Sequence, residues 1–346
     1  MLWFRARRQL TLSTSARYST LQQQLQRPYN FHIAAAWQGK PPWEDIPRPK
    51  VSFPPTSPIA CWRDESVARL SDTQRSAGED FFLYTNMRHN SGVALGVADG
   101  VGGWIDQGVD CSMFSQALMY YAHGHFKNGW TGEPEMDPTA EPYVGVEMTP
   151  SECLQLAYHD VLADESIEAG SSTACLITLN SSSGMLRSAN LGDSGLCIVR
   201  SSSMVYYSSP QTHFFNCPRQ LAKLQNTRGG SFNHEDSIRD FPSVADTYST
   251  RLIDGDIVIA FTDGLADNVF TAETLKICSL AMMASKSEAI QVKLIAHNLV
   301  NYARKCMYSH SKLSPFQLEA RRHRKRFQGG KIDDVTVLVA LVRETL

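Results

Sequence analysis

Uninterrupted apolar runs are the most regular feature of the hydrophobic pattern along this chain. Four of them are six to eight residues long, at residues 91–98, 172–179, 256–261 and 335–342. Runs of this length that are rich in valine, isoleucine and leucine predict strands in sheets covered on one or both faces. Three of the four runs adjoin an acidic turn, at Asp99, Asp263 and Asp334 respectively. The pattern therefore predicts carboxylates at the ends of buried strands.

A shorter pair of apolar segments flanks a glycine-containing turn in the middle of the chain. Residues 185–190 lead into Leu-Gly-Asp-Ser-Gly at 191–195, and residues 196–199 resume the apolar pattern. Two short strands around a tight turn of this composition predict a hairpin-like pair.

Helical periodicity separates the predicted strands. Apolar side chains recur every three or four residues over 111–125, 152–163 and 287–302, as they do in amphipathic helices. Either Thr149 or Ser151 could cap the second of these helices. Because strands and helices are mixed without strict alternation, the sequence favours an α+β fold, a central β-sandwich flanked by helices, ahead of a doubly wound sheet.

The first part of the chain has the composition of an import signal. No acidic residue precedes Glu44, and five arginines are interleaved with serine, threonine and leucine before residue 28. We interpret residues 1–43 as a mitochondrial transit peptide, which would place the protein in the matrix. The alternative is a basic tail on a cytoplasmic protein. Prolines crowd the next stretch, so we expect 44–65 to be a linker and 66–346 to be the main domain.

Composition narrows the class of protein. The net charge of −2 argues against a global attraction to nucleic acid, and no apolar run approaches the roughly 18–20 residues that span a bilayer. The eight cysteines form no Cys-x-x-Cys pair, so we expect mostly buried, reduced thiols. A basic run at 321–326, RRHRKR, could bind RNA, an anionic membrane or an acidic partner. Since no aromatic residue interrupts it, a solvated surface segment is the favoured interpretation.

Acidic residues carry the candidate chemistry. They form four clusters, namely Glu79 with Asp80, Asp99, Asp263, and Asp333 with Asp334. A carboxylate at a strand end loses solvation unless it is paired, hydrogen-bonded or bound to a metal. No matching set of four cations adjoins these strand ends, and all-oxygen sites suit Mg²⁺ and Mn²⁺. A single Asp-Gly after a strand is most often only a turn, so it is the joint pattern that predicts a metal site.

Six motifs, in order, resemble those of the type 2C, or PPM, metal-dependent protein serine/threonine phosphatases. They are GED at 78–80, GVADGVGGW at 96–104, GSSTACL at 170–176, ANLGDSG at 189–195, FTDGLADN at 261–268 and KIDDVTVLV at 331–339. The resemblance spans 78–342, nearly the whole chain beyond the expected linker. With SPF at 314–316 and the N-terminal composition, it is most similar to the mitochondrial PTC-seven-type branch.

The resemblance implies a four-layer fold and a binuclear Mn²⁺ or Mg²⁺ centre. By that resemblance, Asp99 bridges the two ions, the Gly100 carbonyl binds one of them, and Asp263 and Asp333 hold the other. The family usually has Asp-Asn at this last position. Asp333 is chosen over Asp334 because the residue after it then aligns with the asparagine.

The resemblance also implies supporting roles and shows two departures. Glu79 and Asp80 are expected to bind metal-bound waters or to lie just behind them, and Asp193 is expected to be structural or to support the ligands. Val101 stands where many members have a histidine that could protonate the leaving group. Arg75 stands at the spacing where some members place a phosphate-binding arginine, but its surroundings match poorly.

The implied activity is hydrolysis of phosphoserine and phosphothreonine in proteins by an activated water, with no phosphoenzyme. A monomer is expected. One alternative is a catalytically silent pseudophosphatase that acts as an interaction module. Another is a metal-dependent hydrolase of small phosphoesters, which would share the site and differ only in its substrate.

Overall fold

The computed structural model of the chain describes residues 27–41, 52–70, 76–132, 147–224 and 238–345. These ranges contain the strands β1 (Tyr29–Gln38), β2 (Asp80–Asn86), β3 (Gly92–Asp99), β4 (Gly170–Ser172), β5 (Ala174–Asn180), β6 (Met185–Leu191), β7 (Gly195–Arg200), β8 (Ser203–Tyr207), β9 (Thr212–Phe214), β10 (Cys217–Pro218), β11 (Leu221–Lys223), β12 (Asp246–Arg251), β13 (Ile257–Phe261) and β14 (Val335–Glu344). The α-helices are α1 (Pro58–Leu70), α2 (Cys111–Asn128), α3 (Pro150–Ala163), α4 (Asp263–Ala266), α5 (Thr271–Ala284), α6 (Glu288–Met307) and α7 (Pro315–Arg322).

Two five-stranded antiparallel sheets form the centre of the fold. One has the strand order β1-β14-β13-β7-β8 and the other β12-β6-β5-β3-β2. Their facing sides share an apolar core, which includes Phe82, Leu95 and Ile177 from one sheet and Val258 and Leu338 from the other. Strands buried on both faces account for the uninterrupted apolar runs in the sequence.

Helices cover the outer face of each sheet. Phe114 and Leu118 of α2 pack with α3 over the sheet that contains β2 and β3. Ile295 and Leu299 of α6 pack with α5 over β1 and β14. Each large apolar side chain buried in this way contributes about 1.5–3 kcal/mol. The resulting order, helix, sheet, sheet, helix, confirms the predicted α+β sandwich.

Local caps set where three of the helices begin. Thr149, one of the two predicted caps, accepts the backbone N–H of Glu152, and the Glu152 carboxylate accepts the N–H of Thr149 in return. Asp110 caps α2 through the N–H of Ser112. Ser314 caps α7, and such caps are worth about 1 kcal/mol each.

The predicted hairpin at 185–199 is wrong. β6 pairs with β5 and β12, whereas β7 pairs with β13 and β8 in the other sheet. The turn between them therefore carries the chain across the roughly 10 Å that separates stacked sheets. Gly192 has φ 102°, and a Cβ there would come within 2.7 Å of the Arg219 carbonyl oxygen. A glycine turn identifies a sharp change of direction but not the sheet that receives the next strand.

The folded unit begins earlier than the sequence indicated. Strand β1 lies inside residues 1–43, which we assigned to the transit peptide, and it pairs along its whole length with β14. Helix α1 likewise crosses the expected boundary at residue 66. Tyr29 and Trp37 are buried in the core between the sheets. An arginine-rich, acid-poor composition does not exclude a strand, and the partner of this one lies at the far end of the chain.

Two further expectations concern the cysteines and the membrane. Cys61 is exposed and the other seven cysteines are buried, all with free thiols. No helix among the described residues is both long and apolar enough to cross a bilayer.

Candidate metal centre

One edge of the sandwich gathers acidic residues from both sheets. The antiparallel register of β2 and β3 places Asp80 opposite Asp99. In the other sheet, Asp263 follows β13 and Asp333 precedes β14. The Thr262 N–H donates to the Thr336 carbonyl at 3.1 Å and so ties these two strand ends together. Segments far apart in sequence thus deliver carboxylates to one place.

Asp99, Asp193 and Asp263 form the tightest cluster. One carboxylate oxygen from each lies within 4.8 Å of one from each of the others. Asp263 is buried and the other two are half-buried. Asp193, which we expected to be structural or supporting, therefore lies with the predicted ligands, because the crossover between the sheets brings its turn to this edge.

Several carboxylate oxygens at this edge have no hydrogen-bond partner. Oδ1 of Asp80, of Asp193 and of Asp263 is buried, and none of these atoms has a partner among the described residues. Buried polar atoms are normally satisfied, and leaving one unpaired costs about 1–3 kcal/mol. A divalent cation with all-oxygen coordination would satisfy such atoms, so the residues present fit a Mg²⁺ or Mn²⁺ site.

The pKa shifts at this edge reflect burial and mutual repulsion. Burial, followed by the charges of Asp263 and Asp80, raises the pKa of Asp99 well above its ordinary value. Burial and the charge of Asp334 do the same for the pKa of Asp80. Burial, partly opposed by Lys331, raises the pKa of Asp267 to about 7. A bound cation would lower each of these pKa values, since it favours the ionised carboxylate.

Two lysines of the described residues lie within the acidic edge, and the first is Lys331. Its Nζ lies 2.5 Å from Asp263 Oδ2, 2.7 Å from Asp267 Oδ2 and 3.2 Å from Asp333 Oδ2. Burial alone would raise the pKa of Asp263, but this ammonium group holds it below its ordinary value. Lys331 belongs to the KIDD motif, yet nothing in its spacing marked it as a residue of the site.

Lys40 is the second lysine, and it lies two residues after the end of β1. Its Nζ lies 2.9 Å from Glu79 Oε2 and 3.1 Å from Asp333 Oδ1. Its backbone N–H donates to Asp334 Oδ1 at 2.7 Å. Sequence reasoning missed this residue because it lay in the stretch assigned to the transit peptide. Lys40 could have been predicted only from the pairing of β1 with β14.

The two adjacent aspartates before β14 have different surroundings. Asp334 is 2% exposed, and its carboxylate accepts the backbone N–H groups of Lys40 and Glu79. Asp333 is more exposed and faces the two lysine ammonium groups. Burial raises the pKa of Asp334 to about 6, against the opposing effect of Lys40. Backbone N–H groups therefore occupy both oxygens of Asp334, whereas the Asp333 carboxylate is paired with the two lysines.

Gly100 lies at a crowded point of the backbone. A Cβ at this position would come within 2.5 Å of the Cys111 carbonyl oxygen and within 2.7 Å of that of Glu79. Only glycine fits there, which keeps the peptide after Asp99 close to the acidic cluster. Arg75, the predicted phosphate-binding residue, lies outside the described residues.

A cavity of about 390 Å³ opens beside the acidic cluster. Asp193, Asp263 and Asp267 line one side of it, and Leu318 and Arg322 of α7 line another. The centre is therefore open to a ligand from the side of α7.

Comparison with known proteins places the chain in a family. No protein-family model matches it. Protein phosphatase PTC7 homolog of Xenopus laevis is 36% identical over 260 residues, which cover 74% of this chain and 79% of the relative. The human PTC7 homolog is also 36% identical over 260 residues, covering 74% and 77%. The PTC7 homolog fig of Drosophila willistoni is 33% identical over 281 residues, covering 81% and 82%. The chain belongs to the PTC7 family of protein phosphatases.

Solved structures agree on the fold of this PTC7-family chain. The photosystem II phosphatase PBCP matches with a TM-score of 0.59 and 23% identity, over 90% of this chain and 98% of that one. The catalytic domain of the serine threonine protein phosphatase PstP, solved with two manganese ions, matches with a TM-score of 0.51 and 15% identity, over 91% and 100%. At these identities the matches show the fold alone, and they confirm the predicted phosphatase-like sandwich.

Proposed function

We propose that this PTC7-family chain hydrolyses phosphoserine and phosphothreonine in proteins, with two divalent ions, Mn²⁺ or Mg²⁺, at the acidic edge. The convergence of Asp99, Asp193 and Asp263 with unpartnered buried oxygens carries the proposal. Two ions per chain, a monomeric enzyme and a phosphoprotein substrate are parts of it. The ions would supply a nucleophilic water near neutral pH and neutralise charge on the phosphoryl oxygens.

A first group of residues would hold the ions. Asp99, the Gly100 carbonyl, Asp263 and Asp333 would hold the ions. Asp193 joins this set because its carboxylate lies in the same cluster.

A second group would position water and phosphate. Glu79 and Asp80 would orient water by hydrogen bonds, and Asp80 has one buried oxygen available to accept one. Thr262 fixes the other oxygen of Asp80 with a 2.8 Å hydrogen bond. Arg75 would bind the phosphate, although it lies outside the described residues. Val101 offers no proton to the leaving group, so that proton would come from water.

The decisive experiment measures p-nitrophenyl phosphate hydrolysis with and without Mn²⁺, together with Mn²⁺ binding by calorimetry. Wild type should bind about two ions and turn over only with metal, and Asp99→Asn should lose both the second ion and turnover. Asp254→Asn is a matched control, because among the described residues Asp254 pairs only with Arg343 and the Glu344 N–H on the surface. A folded wild type that binds no Mn²⁺ and has no activity would support the pseudophosphatase alternative. Activity on aryl phosphate but on no phosphopeptide would support the small-phosphoester alternative.

We further propose import into the mitochondrial matrix, directed by the residues before Tyr29. The support is the arginine-rich, acid-poor composition of that segment. Because β1 begins at Tyr29, the targeting signal should end before it. Residues 1–28 fused to a fluorescent protein should enter mitochondria, and the same fusion with its five arginines changed to glutamine should not. Cytoplasmic fluorescence from both fusions would contradict the proposal.

A further inference from the structure

A basic segment projects from the rim of the acidic centre. It comprises residues 321–326, from the end of α7 into the following turn. The Phe316 N–H at the start of α7 donates to the Asp267 carbonyl at 3.0 Å, and the Lys331 Nζ lies 5.1 Å from the centre of the Phe316 ring. Arg322 lines the cavity that also contains Asp263. Helix α7 therefore holds the basic segment at a fixed place beside the centre.

An aromatic groove of about 710 Å³ runs along this segment. Phe215 and Phe327 contact Phe316, with ring centres 5.2 Å and 4.7 Å apart. Phe214, also in the groove, is 63% exposed. Lys325 and Arg326 form the basic wall, and Lys331, which binds Asp263, also lines the groove. The groove thus joins the acidic centre to the basic segment. The basic run itself contains no aromatic residue. Phe327 follows it directly, Phe316 lies earlier on α7, and Phe214 and Phe215 come from the end of β9 and the turn after it.

Most charges of the basic segment are available to a ligand. Arg322 and His323 share the Glu319 carboxylate at 2.9 Å and 3.2 Å. Among the described residues, Lys325 and Arg326 form no ion pair, and the same holds for the other two arginines of the segment. The Lys325 and Arg326 side chains also line a neighbouring groove of about 720 Å³. Several like charges held close together repel one another unless a ligand of opposite charge binds.

The turn that presents these charges is strained. Arg324 has φ 58°, the left-handed conformation that glycine adopts at less cost. The Lys325 N–H donates to the Ala320 carbonyl at 2.8 Å and the Arg324 N–H to the Arg321 carbonyl at 3.0 Å, which is the usual glycine-ended helix terminus. An arginine held in such a position, where glycine would fit better, is consistent with a use for its charge.

We propose that this groove and the basic segment 321–326 bind the acidic side chains that flank the phosphorylated residue of a protein substrate. The inference rests on the proposed phosphatase function. Opposite charge favours an acidic peptide, and the groove leads to the place where its phosphate would react. Single-stranded RNA would also suit cations beside aromatic rings. However, its continuous phosphate backbone would have to enter an edge crowded with carboxylates, whereas a peptide brings a single phosphate there.

The test compares two phosphothreonine peptides that differ only in three flanking residues on each side, aspartate in one and asparagine in the other. Wild type should favour the aspartate peptide by about tenfold in kcat/KM at low salt, since exposed ion pairs contribute modestly and additively. The preference should shrink toward unity at about 0.5 M salt. Lys325→Gln with Arg326→Gln should reduce it to below about threefold. Each rate is divided by the p-nitrophenyl phosphate turnover of the same variant.

The matched control is Lys276→Gln with Lys293→Gln, exposed lysines on α5 and α6, which should keep the wild-type preference. Equal rates for both peptides in wild type, or a preference unchanged in the groove variant, would overturn the inference while leaving the phosphatase intact. Fluorescence anisotropy measures the binding of the same peptides without turnover, so a failure of catalysis remains distinguishable from a failure of docking. Groove-dependent binding of a labelled oligouridine, without discrimination between the peptides, would also overturn it in favour of RNA.

Discussion

Strand β13 has an aspartate near each end, and the two are satisfied in different ways. Asp256, just before the strand, is 0% exposed, and both of its oxygens are bound. Arg200 donates to Oδ1 at 2.8 Å and to Oδ2 at 2.7 Å, and the Ile253 N–H donates to Oδ2 at 2.9 Å. Asp263, just after the strand, is 7% exposed. Lys331 binds its Oδ2, but its buried Oδ1 has no partner among the described residues.

The difference separates a structural carboxylate from a candidate ligand. The planar fork of an arginine matches a carboxylate and leaves little capacity for another cation. Asp263 keeps lone pairs that the protein does not satisfy, as Asp80 and Asp193 also do. Residue type, burial and position beside the strand are nearly the same at both ends. The count of satisfied oxygens is therefore the more informative sign of a metal site.

The largest expected effect comes from neutralising Asp263, the aspartate of β13 with an unpartnered oxygen. Asp263→Asn should lower Mn²⁺-dependent turnover of p-nitrophenyl phosphate by at least about 10³-fold, roughly 4 kcal/mol of transition-state stabilisation. In metal-free buffer its free energy of unfolding, measured in urea, should stay within about 1 kcal/mol of wild type. Relief of repulsion with Asp99 offsets the weakened contact with Lys331. A folded variant with more than a tenth of wild-type turnover would refute the assignment.

Neutralising Asp256, whose oxygens both have partners, should instead lower stability and leave turnover unchanged. Asp256→Asn removes the charge opposite Arg200, and breaking a buried ion pair typically costs 3–5 kcal/mol. Because the Arg200 side chain is 33% exposed, we expect a smaller loss of about 2–3 kcal/mol in the free energy of unfolding. Turnover per folded molecule should match wild type. A loss of less than about 0.5 kcal/mol in urea unfolding would show that the number of hydrogen-bond partners of Asp256 does not indicate its contribution to stability.

The parts of the site that could be predicted from sequence are those with local signals. Asp99 and Asp263 follow apolar strands and precede glycines, and a short window of sequence contains that whole pattern. The layered α+β fold followed from the same windows, because strands buried on both faces leave uninterrupted apolar runs. The placement of Asp193 beside the predicted ligands did not follow, since it depends on which sheet receives β7.

The contributions that could not be predicted depend on pairing between distant segments. Lys40 reaches Glu79 and Asp333 only because β1 pairs with β14, with Gln38 opposite Val335. The composition of the first 43 residues resembled a targeting signal, and composition carries no information on strand register. The same limit applies in part to the groove beside the basic run, because Phe214 and Phe215, which line it, lie far from the run in the sequence.

Metal binding should stabilise only those proteins whose acidic centre is intact. At ten times its dissociation constant, a single Mn²⁺ should raise the free energy of unfolding of wild type by about 1.4 kcal/mol. Asp256→Asn should show the same increment from its lower baseline, and Asp263→Asn much less. Thermal unfolding over a series of Mn²⁺ concentrations measures this, with Ca²⁺ as a comparison ion. Equal increments in both variants would mean that the ion binds elsewhere.

The smallest effect concerns the cation that the protein itself supplies to the acidic edge. Lys40 lies between Glu79 and Asp333 with 20% of its side chain exposed. Lys40→Met leaves these carboxylates facing each other and should cost about 1 kcal/mol in metal-free urea unfolding, with partial solvent screening.

Saturating Mn²⁺ should reduce that loss, because the ion neutralises the same carboxylates. Lys312→Met is the matched control, since Lys312 pairs with Glu273 outside the acidic cluster with a similar exposure of 29%. Its loss should be the same with and without metal. If the Lys40→Met loss were the same with and without Mn²⁺, Lys40 would resemble Arg200, the fixed partner of a structural carboxylate. Lys40 would then belong to the structural ion pairs and not to the candidate metal centre.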